Sequence, residues 1–459
     1  MVTLDDVAFA GVVRQAELVR EGEVSPRDLV ELYLDRIARL DPELHAFRTV
    51  MAERALADAD QAEARRRAGD ARPLLGVPIA VKDVEDVAGE VTGWGTAAHG
   101  GPAERDNDFV SRLRAAGAVI LGKTNLPELA IMGVTEGPAF GVSRNPWNTD
   151  RTPGGSSGGS GAAVAAGLCA AATGSDGGGS IRIPASCCGL VGLKPQRGRI
   201  SLALLPEHWY GLSVPGFLTR RVADTALLVD VAAARANERP FAEAAQRAPG
   251  KLRIALSFRP QFPARVDPEV RSSVEGVAAR LRALGHRVVE RDPGYGRAPE
   301  GWTVRFLAGI VQDAQRLARP ERLQRRTRAF VRMGGLVPSG LLERARRDEA
   351  RHAARLGELF RDHDVLLTPA CARPPLDAAE WEGMGAPRTL LGMAIAYPFT
   401  AVWNLTGQPA LSIPAPPASD GLPIGAQLVG PPESEGRLLS LAAQLESEFA
   451  WAERRPPLA

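Results

Sequence analysis

The sequence predicts an α/β fold, because short apolar runs alternate with helical patterns along most of the chain. Residues 74–83 have the pattern of a turn leading into a buried strand, and 118–121 form a second short strand, with a helix predicted over 108–117 between them. Alternation of this kind is typical of helices packed against a β-sheet. The 459 residues are 45% hydrophobic and 24% charged, which is enough apolar material for a sizeable core.

The first 70 residues are predicted to form a helical segment. Ser25-Pro26-Arg27-Asp28 has the pattern of a capping box with proline in the first turn. It begins a helix with apolar residues along one face, which is expected to end near Pro42. A second, very polar helix is predicted over 51–67.

Three further segments complete a single predicted domain over residues 1–459. Residues 71–245 carry the glycine- and serine-rich motifs and are predicted to form the catalytic core, with an alanine-rich helix over 159–172. The next segment, 250–360, is predicted to alternate strands and helices: 251–256, 268–285, 287–290 and 300–360. Residues 361–459 return to the core through a buried strand at 365–369.

Composition argues against several classes of function. A formal net charge of +2 gives no overall field for nucleic acid or a membrane surface, and no apolar run reaches transmembrane length. The N-terminus lacks the pattern of a signal peptide, so we expect a cytoplasmic protein. The four cysteines show no CxxC spacing and the six histidines show no metal-ligand spacing, so we expect small buried cysteines and no metal site.

The most informative stretch is 154–184, which reads GGSSGGSGAAVAAGLCAAATGSDGGGSIRIP. Ser156 and Ser180 each lie in a glycine cluster. Glycine is costly to order, so this density indicates that backbone shape and exposed N–H groups matter here. A hydroxyl nucleophile beside a row of backbone N–H donors is what acyl transfer requires. We expect Gly177, Gly178, Gly179 and Ser180 to supply those donors.

Lysine is scarce in this arginine-rich chain, and only Lys82, Lys123, Lys194 and Lys251 are present. Lys82 ends the predicted strand at 74–83. A lysine in dry surroundings loses its proton readily, whereas arginine stays charged. Lys82 is therefore a candidate base for one of the two serines. Asp176 is expected to brace the glycine loop by accepting backbone N–H groups, and Arg182 to anchor the segment that follows it.

Two motifs offer alternatives to this interpretation. Residues 117–124 fit the P-loop pattern GxxxxGK[ST], but their Ala-Val-Ile-Leu run is typical of a strand rather than of an open phosphate nest. Residues 154–158 fit the GxSxG nucleophile elbow, but a loop rather than an apolar strand precedes Ser156. A nucleotide-binding protein and a Ser-His-Asp hydrolase thus remain the less favoured hypotheses.

The stretch 154–184 resembles the signature of the amidase signature family. Further matches to that family lie at five places: Gly76–Asp83, Gly122–Asn125, Arg144–Trp147, Cys188–Pro195 and Trp403–Ala410. The resemblance implies a three-layer α/β/α sandwich around a large, mixed, twisted β-sheet. It also implies hydrolysis of a carboxamide to an acid and an amine or ammonia, with no cofactor.

The resemblance also assigns roles to individual residues. Ser180 would be the nucleophile, and Ser156, after a cis peptide bond from Gly155, would relay its proton. Lys82 would be the base, with the Ser157 hydroxyl holding it. Ile183 stands where tRNA-dependent amidotransferase A subunits usually carry glutamine, which favours a stand-alone hydrolase over the glutaminase subunit of an amidotransferase.

The substrate is expected to be a small-molecule amide. Ala130, Ile131 and Met132 precede the serine loop and are candidates for the substrate pocket. The segment 250–360 matches the family only in general pattern, and we expect it near the route by which substrate enters. A homodimer is a possible assembly.

Overall fold

The computed structural model describes residues 4–202, 205, 207–235 and 239–459. The strands of this described part are β1 (Phe47–Val50), β2 (Pro78–Lys82), β3 (Val119–Thr124), β4 (Glu136–Gly137), β5 (Gly141–Val142), β6 (Ala171–Asp176), β7 (Val191–Lys194), β8 (Val214–Thr219), β9 (Arg253–Leu256), β10 (Arg287–Glu290), β11 (Val365–Pro369), β12 (Ala410–Pro414) and β13 (Gly425–Val429). Eleven of these strands form one mixed sheet at the centre, in the order β1-β3-β2-β6-β8-β7-β12-β13-β11-β9-β10. The short strands β4 and β5 form a separate ribbon.

Helices surround this sheet on both faces, so the predicted three-layer α/β/α architecture is confirmed. The helices are α1 (Leu4–Ala8), α2 (Gly11–Glu21), α3 (Pro26–Leu44), α4 (Ala52–Arg67), α5 (Asp108–Ala115), α6 (Gly158–Ala165), α7 (Arg182–Cys188), α8 (His208–Gly211), α9 (Val222–Ala232), α10 (Phe241–Ala245), α11 (Pro268–Ala283), α12 (Ala298–Arg316), α13 (Arg325–Gly335), α14 (Ser339–Arg347), α15 (Glu349–Gly357), α16 (Leu359–Asp362), α17 (Ala386–Ala396), α18 (Val402–Leu405) and α19 (Glu435–Phe449). Across the described part of the chain, none of them is long and apolar enough to cross a membrane.

Two strands bring the predicted catalytic motifs together. Strands β2 and β6 are parallel neighbours, with Ile79 paired to Ala171 and Ala80 to Ala172. Parallel strands end at the same edge of a sheet, so Lys82 at the end of β2 lies beside the end of β6. The loop that leads to Ser180 begins at that end of β6. The fold therefore places a lysine from one motif next to the serines of the other.

Most elements agree with the sequence predictions, and the capping box at Ser25 and Asp28 forms as expected. The alanine-rich helix over 159–172 is shorter than predicted, because α6 ends at Ala165 and β6 begins at Ala171. Gly167 adopts a left-handed conformation with φ of 66°, which ends the helix. The division of the chain into segments at 70, 245 and 360 stays a prediction.

The P-loop-like segment 117–124 is part of the sheet. All six residues of β3 are buried, and Lys123 Nζ forms an ion pair with Asp83 Oδ1 at 3.0 Å. A lysine held in this way has a structural role, and the strand leaves no open nest of backbone N–H groups for a phosphate. The nucleotide-binding hypothesis therefore finds no support at this segment.

Candidate active site

Lys82 is fully buried at the end of β2, and its ammonium nitrogen faces hydroxyl groups. Lys82 Nζ lies 2.7 Å from Ser156 Oγ and 2.9 Å from Ser175 Oγ. Burial lowers the pKa of Lys82 to about 7, and the nearby carboxylates of Glu85 and Asp176 only partly offset this effect. Near neutral pH a substantial fraction of this amine is therefore unprotonated and can accept a proton from the Ser156 hydroxyl.

The Ser156 loop has the backbone geometry that the resemblance implied. The Gly155–Ser156 peptide bond is cis. Glycine is required at 155, because a Cβ there would lie 2.7 Å from backbone atoms of Val134. The two serine loops are joined directly, since Ser157 N donates to Ser180 O at 3.2 Å. The loop thus presents Ser156 between Lys82 and the segment that carries Ser180.

The predicted role of Ser157 as the hydroxyl that holds Lys82 is wrong. In the described structure Ser175 takes that place, and Ser157 Oγ instead lies 3.4 Å from both the backbone nitrogen and the backbone oxygen of Ser175. Ser175 lies near the end of β6, beside the end of β2, and this brings its side chain to Nζ. Ser157 therefore positions the residue that contacts Lys82.

Loss of the Ser175 hydroxyl should slow the enzyme more than loss of the Ser157 hydroxyl. Ser175→Ala removes one hydrogen bond to Lys82, and we expect kcat/KM for a simple amide to fall about tenfold. Ser157→Ala is the matched control and should cost about threefold or less, because its two contacts are long. Steady-state kinetics of the two purified variants test this. Equal losses would argue against the assignment of Ser175.

Asp176 braces the glycine loop as predicted. Its carboxylate accepts from Gly179 N at 2.6 Å and from Ile181 N at 3.1 Å. Gly179 was expected to offer its N–H to a substrate, and this expectation is wrong because Asp176 already holds that group. Within the described structure, the N–H groups of Gly177, Gly178 and Ser180 have no protein acceptor. These three N–H groups are therefore available as donors.

Three residues far away in the sequence hold carbonyl groups of the glycine loop. Trp302 Nε1 donates to Gly177 O at 2.8 Å, Asn404 Nδ2 donates to Asp176 O at 2.6 Å, and the Thr400 hydroxyl donates to Gly178 O. In a planar trans peptide the C=O and the following N–H point in opposite directions. By anchoring the carbonyls on one side, Trp302 and Asn404 turn the N–H groups of Gly178 and Gly177 to the other side.

The indole of Trp302 should therefore affect the chemical step. Trp302→Phe keeps an aromatic ring next to Phe306 but removes the indole N–H that donates to Gly177 O. We expect kcat for a short amide to fall about tenfold, with a smaller change in KM. Trp147→Phe is the control, because it removes an indole bond to Cys188 O outside the loop and should leave kcat unchanged. A change confined to KM in Trp302→Phe would contradict this role.

Arg182 and Asp176 form a buried ion pair beneath the loop. Arg182 Nη2 lies 2.9 Å from Asp176 Oδ1, and neither side chain is exposed. Arg182 also donates to Gln427 Oε1 at 2.7 Å and to Asn404 Oδ1 at 2.6 Å. Burial alone would raise the pKa of Asp176, but the guanidinium holds it well below its ordinary value. Asp176 is thus kept ionised to accept the loop N–H groups, and Arg182 anchors the start of α7.

Ser180 lies where two cavities meet. One cavity of about 560 Å³ is lined by Ser156, Ser175 and Gly177 together with acidic and basic side chains, and we call it the polar cavity. The other, of about 370 Å³, has an almost entirely apolar lining, and we call it the apolar cavity. Ala130, Ile131 and Met132 line the apolar cavity, and their role in a substrate pocket stays a prediction.

Histidine is not part of the serine cluster. His208 lines the polar cavity, but its Nε2 shares a hydrogen bond of 2.9 Å with Asp313 Oδ1. Among the described residues neither Ser156 nor Ser180 has a hydrogen bond to an imidazole. The described residues also contain no group of three or more histidine, cysteine, aspartate or glutamate side chains that could hold a metal ion. The Ser-His-Asp hypothesis is therefore not favoured.

Comparison with known proteins identifies the family of this chain. A family model described as Amidase matches residues 28–439. The chain belongs to the amidase signature family. It is 50% identical over 455 residues, 98% of each chain, to the protein named "Putative amidase AmiB2" of Mycobacterium tuberculosis. It is 36% identical, over 97% of this chain and 96% of the other, to the 6-aminohexanoate-cyclic-dimer hydrolase of Paenarthrobacter ureafaciens.

Solved structures of amidases have the same fold. A 6-aminohexanoate cyclic dimer hydrolase complexed with substrate superposes with a TM-score of 0.91 at 34% identity, covering 98% of this chain and 99% of the other. The peptide amidase of Stenotrophomonas maltophilia gives a TM-score of 0.79 at 28% identity, covering 97% and 98%. This protein is accordingly an amidase, a hydrolase that acts on amide C–N bonds.

Proposed function

We propose that Lys82, Ser156 and Ser180 form the catalytic triad of this amidase and that the reaction passes through an acyl-enzyme on Ser180. The observation that carries the proposal is the 2.7 Å contact between the buried Lys82 Nζ and Ser156 Oγ, beside the loop of Ser180. A neutral amine in that place can accept the Ser156 proton while Ser156 accepts the proton of Ser180. Ser180 Oγ then attacks the carbonyl carbon of the amide.

The glycine loop stabilises the charge that this attack creates. As the C=O bond opens, negative charge develops on its oxygen, and the N–H groups of Gly177, Gly178 and Ser180 donate to it. The N–H groups of Gly177 and Gly178 are turned towards the substrate before it binds, because Asn404 and Trp302 hold the carbonyls behind them. Prior orientation matters, since donors that are already aligned need no reorganisation in the transition state.

The remaining steps return the protons. The proton held by Lys82 passes through Ser156 to the amide nitrogen, the C–N bond breaks, and the amine or ammonia leaves. Water then gives a proton to the same relay and attacks the ester carbonyl of the acyl-enzyme. The carboxylic acid is released, and Ser180 regains its hydroxyl hydrogen through Ser156. Each step uses side chains of this chain and water.

Trapping the intermediate tests the proposal. The purified protein is incubated with a panel of aliphatic and aryl amides, quenched in acid during steady-state turnover, and digested for mass spectrometry. We expect the acyl mass on the peptide that contains Ser180, and none in Ser180→Ala. An acyl group on Ser156, or full activity of Ser180→Ala, would overturn the assignment. The cytoplasmic location, the possible homodimer and the glutaminase alternative stay predictions.

A further inference from the structure

The polar and apolar cavities share few residues, and Ser180 is one of them. Only Ala130, Ser180 and Trp209 line both cavities among the described residues. An amide attacked by Ser180 has two halves on opposite sides of the reacting bond. The acyl half and the amine half can therefore occupy different cavities, and the positions of the catalytic groups indicate which half occupies which cavity.

The position of Ser156 indicates which half of the substrate lies in which cavity. Ser156 lines the polar cavity and is absent from the described lining of the apolar one. In the proposed mechanism Ser156 hands the proton to the leaving nitrogen, so that nitrogen must face the polar cavity. From this we infer that the acyl half of the substrate occupies the apolar cavity and the amine half occupies the polar cavity. The inference rests on the proposed function, because it uses Ser156 as the proton relay.

The loop donors are compatible with this direction. Gly177 lines the polar cavity, whereas Gly178 lines the apolar one. A carbonyl oxygen held between their N–H groups therefore sits at the boundary between the cavities. The acyl-enzyme on Ser180 would keep its chain in the apolar cavity, while the vacated polar cavity admits the water that completes the reaction.

The apolar cavity selects an uncharged acyl group. Its described lining contains no charged side chain and is built from aliphatic and aromatic groups, among them Met132, Trp302, Phe306, Leu390 and Tyr397. A charged group placed there would lose its hydration without gaining a partner. Alkyl and aryl acyl groups of medium size are therefore the class that this cavity fits.

The polar cavity selects a different chemistry. Its described lining holds five acidic and two basic side chains: Glu85, Asp86, Glu104, Asp108, Asp313, Arg105 and Arg316. Asp313 pairs with Arg316 at 3.5 Å and Asp108 with Arg112 at 3.3 Å, and burial raises the pKa of Glu85 to about 7, so the net negative charge comes from Asp86 and Glu104, which outweigh Arg105. Like charges along the walls of one cleft focus a field within it, here a negative one that attracts cations. The substrate class is thus an amide with an apolar acyl chain and an amine half that carries a positively charged group.

Two isomeric amides, which have the same mass, charge and atoms, test this orientation of the substrate. One is N-(5-aminopentyl)pentanamide, with its ammonium on the amine half. The other is 5-amino-N-pentylpentanamide, with its ammonium on the acyl half. We expect the first to have a kcat/KM at least about 100-fold higher, because the second must bring an ammonium into the apolar cavity. Neutral N-pentylpentanamide should fall between them.

A substitution in the apolar cavity should weaken the preference for the first isomer. Leu390 is half-buried on α17 and lines that cavity, so Leu390→Glu places a carboxylate where the acyl chain lies. We expect it to narrow or invert the ratio between the two isomers by at least about tenfold. Leu336→Glu is the matched control, because Leu336 is 82% exposed and does not line either cavity. It should leave the ratio unchanged.

The outcomes separate the inference from the proposed function. If the second isomer is hydrolysed as fast as the first or faster, the inference fails while the triad stands. The inference also fails if neither isomer is cleaved but other amides are. If Ser180→Ala retains the activity of the wild type on any of these amides, the proposed function itself fails. A higher rate for the first isomer, together with a ratio that shifts only in Leu390→Glu, supports both.

Discussion

Replacement of Lys82 with methionine is expected to lower kcat/KM for amide hydrolysis at least about 10⁴-fold. Methionine fills much of the same space, but it cannot accept the Ser156 proton over the 2.7 Å contact that Lys82 Nζ makes. Steady-state kinetics with N-pentylpentanamide measure the loss. Adding Ser180→Ala to Lys82→Met should cost little more, because groups that act as one unit give non-additive losses.

Two controls make this result specific. Lys82→Arg should be as inactive as Lys82→Met, since a guanidinium keeps its proton at neutral pH. Burial disfavours the charged amine, so Lys82→Met should keep or raise the midpoint of thermal unfolding. If Lys82→Met were inactive and its melting temperature were lowered, damage to the fold would explain the loss of activity. A variant with more than about a tenth of wild-type activity would contradict the assignment of Lys82 as the base.

Replacement of Arg182 with methionine is expected to lower the free energy of unfolding by about 3–5 kcal/mol. The ion pair with Asp176 is inaccessible to solvent, so removal of the guanidinium leaves a carboxylate buried without its charge partner. Activity should fall as well, because that carboxylate holds Gly179 N and Ile181 N in the loop. Urea denaturation followed by tryptophan fluorescence measures the change in stability.

An exposed ion pair provides the comparison. Arg271 and Glu275 lie one turn apart on α11, and both side chains are about half exposed. Exposed pairs contribute little, so Arg271→Met should change the unfolding free energy by about 0.5 kcal/mol or less. If Arg182→Met proves as stable as Arg271→Met, the buried pair is not what holds the glycine loop in place.

Local patterns singled out the residues that the structure brings together at the candidate site. Strand character and the scarcity of lysine identified Lys82, and the glycine clusters identified Ser156 and Ser180. The bracing by Asp176 also followed from its position next to the glycines that it contacts. In each case the residue and the reason for its importance lie within a few positions of each other in the chain.

Contacts between distant segments were beyond the reach of such patterns. Trp302 and Asn404 bind carbonyl groups of the loop from 125 and 228 residues away, and no local spacing relates them to it. The use of Gly179 N by Asp176, and the exchange of Ser157 for Ser175 beside Lys82, depend on side-chain directions that only the packed structure determines. The glycine at 177 is explained by packing, since a Cβ there would lie 2.6 Å from the indole ring of Trp209.

Glu85 is a second buried titratable group near Lys82, and a pH study must distinguish its titration from that of Lys82. Glu85 is nearly buried in the polar cavity, and burial raises its pKa to about 7, while its bond from Asn107 lowers it in part. Its negative charge raises the pKa of Lys82. In Glu85→Gln the pKa of Lys82 should therefore fall, and the activity of the enzyme should extend to lower pH.

The pH dependence of kcat/KM for the neutral substrate N-pentylpentanamide tests most directly whether unprotonated Lys82 is the base. This profile reports the pKa values of the free enzyme. Burial lowers the pKa of Lys82 to about 7, so kcat/KM should rise about tenfold per pH unit below that value and level off above it. In Glu85→Gln the rise should persist and move to lower pH. A profile that is flat between about pH 5 and 9, or a rise that disappears in Glu85→Gln, would contradict the account.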